Sequence, residues 1–380
     1  MVGSEPGSSA APYDALLVVS FGGPEGPDDV MPFLRNVTAG RGVPDDRLAS
    51  VAEHYHLLGG RSPINDQCRM LVAAVREDLA AHGVDLPVYW GNRNWDPFLA
   101  ETMAQMAADG VQRAACFVTS AYSSYSGCRQ YRENLFDATR AVDQAPRLDR
   151  LRHYFNHPGF VQPFVDTTLA ALAELPPEAA PGARLVFVTH SIPDAMAQAS
   201  GRSESGGTAG GAYVRQHLDV LSQVSAAVEA ATGTSLGADL VYCSRSGPPS
   251  VPWLEPDVND HLEALSQAGV PGVVVVPIGF VSDHMEVVFD LDTEAAQTAA
   301  RLGLPFARAA TPGADPRFAA VATDLLLERA AAERGRPVER RRVGQEPASW
   351  DRCPAECCRN SRDPDRPALG GADVTYGVGA

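Results

Sequence analysis

The chain has 380 residues, 45% hydrophobic and 21% charged, enough for two domains or one large α/β unit with a full core. A net charge of −16 disfavours nucleic acid and an anionic membrane surface as partners. No apolar run approaches the ~20 residues of a membrane span. Residues 1–12 lack the basic and apolar regions of a signal peptide and read as a disordered lead, so the chain is expected to be cytoplasmic, without stable membrane association. All 31 basic residues are Arg, which excludes a lysine nucleophile or Schiff base. The seven Cys, with no export signal, argue against a disulfide framework, and three of them crowd together as Cys353, Cys357 and Cys358.

In chain order, residues 15–21 form a strand that runs into Gly22-Gly23-Pro24, with a helix opening at Asp28. A helix over 47–58 stops at Gly59-Gly60. After the loop 61–65, Asn65 is placed to cap a long helix to His82. A strand over 86–91 follows, then a helix to Ala108 with Asp96 as cap and Pro97 first. Residues 113–120 are the third strand and run into the polar aromatic loop 122–125. A helix over 126–142, a fourth strand over 151–155 and a helix over 158–175 complete this half. The Pro-rich stretch 176–181 reads as a boundary.

The same rhythm then resumes. The strand 184–189 is followed by His190-Ser191-Ile192-Pro193 and a short helix around 194–199. Residues 201–211 are Gly/Ser-rich and are expected to form a mobile insertion. Helix 213–231, strand 239–244, helix 255–268 and strand 272–278 lead to an acidic helix, and helix 316–334 closes the half. Alternating strands and helices imply an α/β fold of two Rossmann-like halves, each a parallel sheet flanked by helices, with the site in the cleft between them. The expected domains are 13–175 and 182–335, followed by a tail, 336–380.

Two constellations can carry chemistry. Glu286, Asp290 and Glu294 recur every four residues behind a buried strand, which puts three carboxylates on one helix face. Like charges at that spacing cost a few tenths of a kcal/mol each, so the file suits a cation. A solvated acidic face is the alternative. His190 ends the strand 184–189 and would open onto the same crevice. There it is either a hydrogen-bonded turn residue or a proton acceptor and metal ligand opposite Glu286. No GxGxxG, GxxxxGK[ST], GxSxG, HExxH or SxxK signature is present.

Five blocks in order over about residues 15–334 resemble the ferrochelatases. They are Ser20-Phe21-Gly22-Gly23-Pro24, Gly59-Gly60-Arg61-Ser62-Pro63-Ile64, Val188-Thr189-His190-Ser191-Ile192-Pro193, Cys243-Ser244-Arg245-Ser246-Gly247-Pro248 with Pro252-Trp253-Leu254, and Pro277 to Glu286. The resemblance implies insertion of Fe2+ into a porphyrin held between the halves. His190 and Glu286 fall on the family's active-site pair, and Asp290 and Glu294 on its acidic path, so these four are the expected contacts of the iron substrate. Metallation releases two N–H protons, so an acceptor must stand near the ring centre.

Ser62, Tyr55, Tyr131 and Phe21 match porphyrin-contacting positions. Phe21 stands where some relatives carry a Tyr that reaches the metal, and Asn94 where some carry a His, which puts both of those metal contacts in doubt here. Arg61 and Arg41 are candidate propionate partners or plain surface charges. The 122–125 loop either lines the ring or packs. Some relatives carry a 2Fe–2S cluster on three C-terminal Cys and one internal Cys. That resemblance assigns Cys353, Cys357 and Cys358, with Cys128 as the fourth ligand, against zinc or incidental thiols as alternatives. The porphyrin is expected to be coproporphyrin III, with protoporphyrin IX as the alternative, in haem b biosynthesis, with transient contact to upstream and downstream haem-pathway enzymes. A non-catalytic haem-binding or iron–sulfur sensor protein is the alternative of another class, and a cobalt or nickel chelatase a third reading.

Overall fold

The computed structural model describes residues 9–201, 210–247, 250–354 and 356–371. Most of the expected insertion 201–211, the first eight residues of the lead and the Gly-rich end lie outside the described residues. The first half runs β1 (Ala15–Ser20), α1 (Val30–Val37), α2 (Asp45–Leu57), α3 (Ile64–Ala81), β2 (Val88–Asn92), α4 (Leu99–Ala108), β3 (Arg113–Val118), α5 (Gln130–Arg140) and β4 (Arg147–Arg150). Its strands pair in parallel in the order β2-β1-β3-β4. All of β1 is buried, as its unbroken apolar run requires of a strand covered on both faces.

The second half runs α6 (Pro158–Glu174), β5 (Arg184–His190), α7 (Asp194–Gln198), α8 (Gly211–Thr232), β6 (Ala238–Cys243), α9 (Val258–Gln267), β7 (Val273–Val276), α10 (Ala296–Leu302), β8 (Phe306–Arg308) and α11 (Pro316–Glu333). Its sheet is again parallel, in the order β6-β5-β7-β8. The halves share one core. Phe117 from β3, Phe160 from α6, Phe187 from β5 and Phe318 from α11 belong to a single apolar cluster. The helix expected to close the first half, α6, packs instead on β7, β8 and α8 of the second, while α11 crosses to pack on α3 and also meets α6.

The structure corrects several expectations. The fourth strand is β4 at 147–150 rather than 151–155. Three of its four residues are charged, which a buried strand tolerates only when they are paired: Asp149 is 2% exposed and takes Arg113 at 2.5 Å and Arg329 at 3.4 Å. Residues 151–155 leave the sheet, and Tyr154 and Phe155 pack in the shared core. Asn65 lies inside α3 rather than at its cap; its amide donates to the Gly23 carbonyl at 3.0 Å and to Glu25 at 2.9 Å. Helix α4 starts at Leu99, so Asp96 is not its cap; the Phe98 N–H donates to Glu101 instead, at 3.4 Å. The three-residue strand β8 went unread. Two segments expected to be α-helical wind as π-helix, Tyr125–Arg129 and Val287–Ala295, a rare form often found at functional sites.

Behind the cleft, His217 on α8 stacks on Tyr122 with ring centroids 3.6 Å apart, and its Nδ1 donates to the Tyr213 carbonyl at 2.7 Å. Burial lowers its pKa to about 3, so the folded chain holds it neutral. A depressed histidine pKa contributes stability that is complete above the unfolded value near 6.5 and declines as pH falls toward the folded value. Between pH 6.5 and 5 the wild type is therefore expected to lose about 2 kcal/mol more than His217→Phe, at roughly 1.4 kcal/mol per unit. Denaturant midpoints at the two pH values measure this, and parallel losses in both proteins would refute it.

Candidate active site

The site is built where β5 and β7 end, at the carboxyl edge where open α/β sheets place ligands. β5 delivers His190 as its last residue. The turn after β7 passes so close to β5 that a Cβ on Gly279 would stand 2.1 Å from Thr189 Oγ1, so this position admits only glycine. That close passage brings the segment from Phe280 to Glu286 alongside His190. Tyr213 braces the strand end from behind, its hydroxyl donating to the His190 carbonyl at 2.8 Å. The His190 Nδ1–H donates to the Ser191 carbonyl, which turns Nε2 toward Glu286, 3.5 Å from Oε1. His284 Nδ1 lies 3.9 Å from the other oxygen of Glu286 and accepts the Glu286 backbone N–H at 3.1 Å.

The electrostatics divide the titrating groups. Burial disfavours a charged His190, but the Glu286 carboxylate and the Ser191 carbonyl outweigh it and raise the imidazole to about 9. Burial would raise Glu286, yet the charge and hydrogen bond of His190 pull it down to about 2. At neutral pH the pair is thus imidazolium and carboxylate. Burial and the His190 charge keep His284 below its ordinary range, as its acceptor role requires. Burial raises Asp290 to about 7; a hydrogen bond from the Ser244 hydroxyl opposes this, and the charges of Glu286 and Glu294 add to it.

Ser244, which follows Cys243 at the end of β6, is a functional candidate that the sequence pattern does not single out. Its φ of 62° is left-handed, a conformation that costs a non-glycine residue of order 1–3 kcal/mol. The turn thereby aims its hydroxyl at Asp290. The π winding carries Asp290 half-buried and Glu294 exposed. The acidic file therefore grades from the His190 pair outward to solvent.

Opposite stands an aromatic wall from the first half. Phe33 meets Phe21 at 6.3 Å, Tyr55 at 5.9 Å and Trp95 at 6.2 Å. Burial, with the charges of Glu286 and Asp290, pushes the Tyr55 phenol far up, so Tyr55 faces the acidic pair as a neutral hydroxyl. His54 on α2 stacks on Phe289 across the cleft, centroids 3.9 Å apart and rings 9° from parallel. Nothing in the sequence pattern singled out that contact. Gln67 on α3 also crosses, accepting the Asp283 N–H at 2.9 Å.

The remaining candidates are placed less directly. Ser62 is buried, its N–H donating to the Pro24 carbonyl at 2.9 Å, and a Cβ on Gly23 would meet Ser62 Cβ at 2.8 Å. Tyr131 is buried beneath Arg93, whose guanidinium lies 4.4 Å from its ring and 5.5 Å from that of Phe21. Arg61 is exposed and paired with Asp66 at 2.5 Å. Arg41 is exposed, and some loss of solvation with the like charges of Arg362 and Arg93 holds it below the usual arginine range. Tyr122 packs, its hydroxyl donating to the Ile278 carbonyl at 2.9 Å.

The structure brings the four assigned cysteines together. Cys128 on the first π-turn lies 3.9 Å from Cys353, Cys357 lies 3.8 Å from Cys358, and all four are buried in one cluster. The Gly201 N–H donates to Cys358 Sγ at 3.4 Å. The tail is tied to α5 around them: the Leu369 N–H donates to the Arg132 carbonyl at 3.0 Å, and Arg129 donates to the Arg366 carbonyl at 2.7 Å. Among the described residues no set of three or more His, Cys, Asp or Glu forms a ready-made coordination site, and the sulfurs touch as packed thiols.

The ferrochelatase family model matches residues 13–330. The chain belongs to the ferrochelatase family. It is 60% identical over 370 residues to a coproporphyrin III ferrochelatase of Streptomyces griseus, covering 96% of this chain and 98% of that one. Similar proteins of the same description occur in Streptomyces coelicolor, at 59% over 97% and 98% of the two chains, and in Frankia alni, at 57% over 94% and 89%. Among solved structures, SirB from Bacillus subtilis with Fe3+ matches at a TM-score of 0.49 and 11% identity, over 84% of this chain and 97% of that one. This ferrochelatase has no helix among the described residues long and apolar enough to cross a membrane.

Proposed function

We propose that the enzyme inserts Fe2+ into coproporphyrin III held in the cleft, with His190 and Glu286 facing the ring centre. The observation that carries this reading is the 3.5 Å His190–Glu286 pair at the strand edge, set against the aromatic wall. Insertion exchanges two pyrrole protons for one dication. In the empty site both members of the pair are ionised: the imidazolium has no free site for a ring proton, and the ion pair leaves the Glu286 carboxylate a weak acceptor. An arriving Fe2+ changes that, because its charge favours loss of the His190 proton and frees an imidazole. Asp290, near 7, can both accept and release protons at neutral pH, and exposed Glu294 gives the outlet.

The choice of porphyrin rests on the relatives' names and on charge. Arg93 lies 5.5 Å from the Phe21 ring, and its charge and that of Arg362 act on Arg41, a local cationic surplus suited to a substrate with several carboxylates. Anaerobic initial rates with coproporphyrin III and protoporphyrin IX test it. A clear preference for the former is expected, and the reverse would overturn the substrate assignment.

The cysteine group fits a 2Fe–2S cluster on donor chemistry. Four soft sulfur donors converge from Cys128 and the tail, and the Arg132 guanidinium is buried beside them without a partner for either terminal nitrogen. Cys128, Cys353, Cys357 and Cys358 would hold the cluster, which when bound ties the tail covalently to the first half. Iron and acid-labile sulfide in the isolated protein test this assignment.

A further inference from the structure

We propose that Arg132 and Arg150 are positioning residues that supply the counter-charge of the four-sulfur site, so that its occupancy and one-electron potential depend on them. The inference rests on the cluster assignment above. Arg132, on α5, is fully buried; its Nε donates to the Leu369 carbonyl, and neither Nη1 nor Nη2 has a hydrogen-bond partner among the described residues. Arg150, the last residue of β4, is 5% exposed, and its Nη1 meets His153 Nε2 at 3.3 Å. Both arginines lie against the tail at the sulfur site: the Gly370 carbonyl accepts the Cys353 N–H at 3.1 Å, and a Cβ on Gly370 would stand 3.4 Å from Arg150 Cβ and 3.9 Å from Arg132 Nε.

Neighbouring groups do not neutralise the two arginines. Burial and the Arg150 charge lower His153 to about 3, so it is neutral. Glu133, the acid next to Arg132 in sequence, pairs with Arg129 at 3.3 Å and Arg366 at 3.5 Å. Asp149, next to Arg150, is engaged by Arg113 and Arg329. Two guanidinium groups buried against thiols alone are unfavourable, because a buried charge requires an opposite one.

A cluster of two ferric ions, two sulfides and four thiolates carries a formal charge of minus two, which two arginines balance. One electron from a chemical reductant such as dithionite converts one ferric ion to ferrous and takes the cluster to minus three; no bond forms or breaks. Nearby positive charge stabilises the reduced form more than the oxidised one, so removing an arginine lowers the potential.

The test uses the full-length protein isolated with its cluster, compared with Arg132→Gln, Arg150→Gln and the charge-keeping Arg132→Lys and Arg150→Lys. Iron and acid-labile sulfide per chain give occupancy, and a dithionite titration followed by electron paramagnetic resonance gives the midpoint. Each Gln variant is expected to lower the reduced-to-oxidised ratio at fixed potential by about tenfold or more, a shift of ~59 mV for one electron. The Lys variants are expected to stay near the wild type. Equal midpoints and occupancy in wild type and Gln variants would overturn the inference, as would Lys variants that fail as the Gln variants do. A wild-type protein without iron and sulfide would instead overturn the cluster assignment beneath it. If Arg132→Gln does not fold, Arg150→Gln decides by the same criteria.

Discussion

Glu286→Gln is expected to lower the rate of iron insertion by about 10²–10⁴-fold while leaving porphyrin binding within roughly threefold, the range for losing a positioned proton-transfer group. The amide keeps the shape of the carboxylate but can neither balance the dication nor take a proton. It also removes the main charge that holds His190 at about 9, so burial pulls that imidazole down against only the Ser191 carbonyl and Asp290. The variant thus presents a His190 of lowered pKa beside a neutral amide, in place of an ion pair. Anaerobic initial rates measure the first effect, and quenching of intrinsic fluorescence by added porphyrin measures the second. Turnover above about a tenth of wild type would remove Glu286 from the chemistry.

The residues of that pair were legible because their placement follows from local rules. His190 ends an apolar strand, and the acidic file follows another, so parallel-sheet topology directs both to one edge. The resemblance to the ferrochelatases then singled the pair out. What surrounds them was not legible for an equally physical reason. Ser244 reaches Asp290 only because its backbone turns left-handed, and His54 meets Phe289 only because the two halves close on each other. Both depend on tertiary geometry, which no period of three or two residues records. The π winding of Val287–Ala295 was hidden in the same way, since its apolar spacing also satisfies an α-helix. The cysteines were placed by resemblance; the arginines behind them, 132 and 150, gave no sequence signal, because a buried cation reads like any surface Arg until its partner is known.

Strand β4 holds the residue whose loss should cost the fold most. Arg147–Arg150 has three charged residues in four where a buried strand is ordinarily apolar. Those charges are satisfied by another helix. Asp149 takes Arg113 from β3 and Arg329 from α11, the Tyr13 hydroxyl donates to it at 3.3 Å, and Glu333 closes the ring at 2.6 Å to Arg113 and 2.8 Å to Arg329. The network fastens α11, which belongs by chain order to the second half, onto the sheet of the first. Removing one partner of a buried ion pair costs about 3–5 kcal/mol, because it strands the other charge. Here Glu333 still serves both arginines, so Asp149→Asn is expected at the lower end, about 3 kcal/mol, read from equilibrium denaturation at pH 7. The network does not touch His190 or Glu286, so the folded fraction of Asp149→Asn should turn over at close to the wild-type rate. Glu286→Gln should behave in the opposite sense, folded but inactive. If Asp149→Asn were as stable as wild type, the charges of β4 would be solvated rather than paired, and the fastening of α11 would have to come from its apolar face alone.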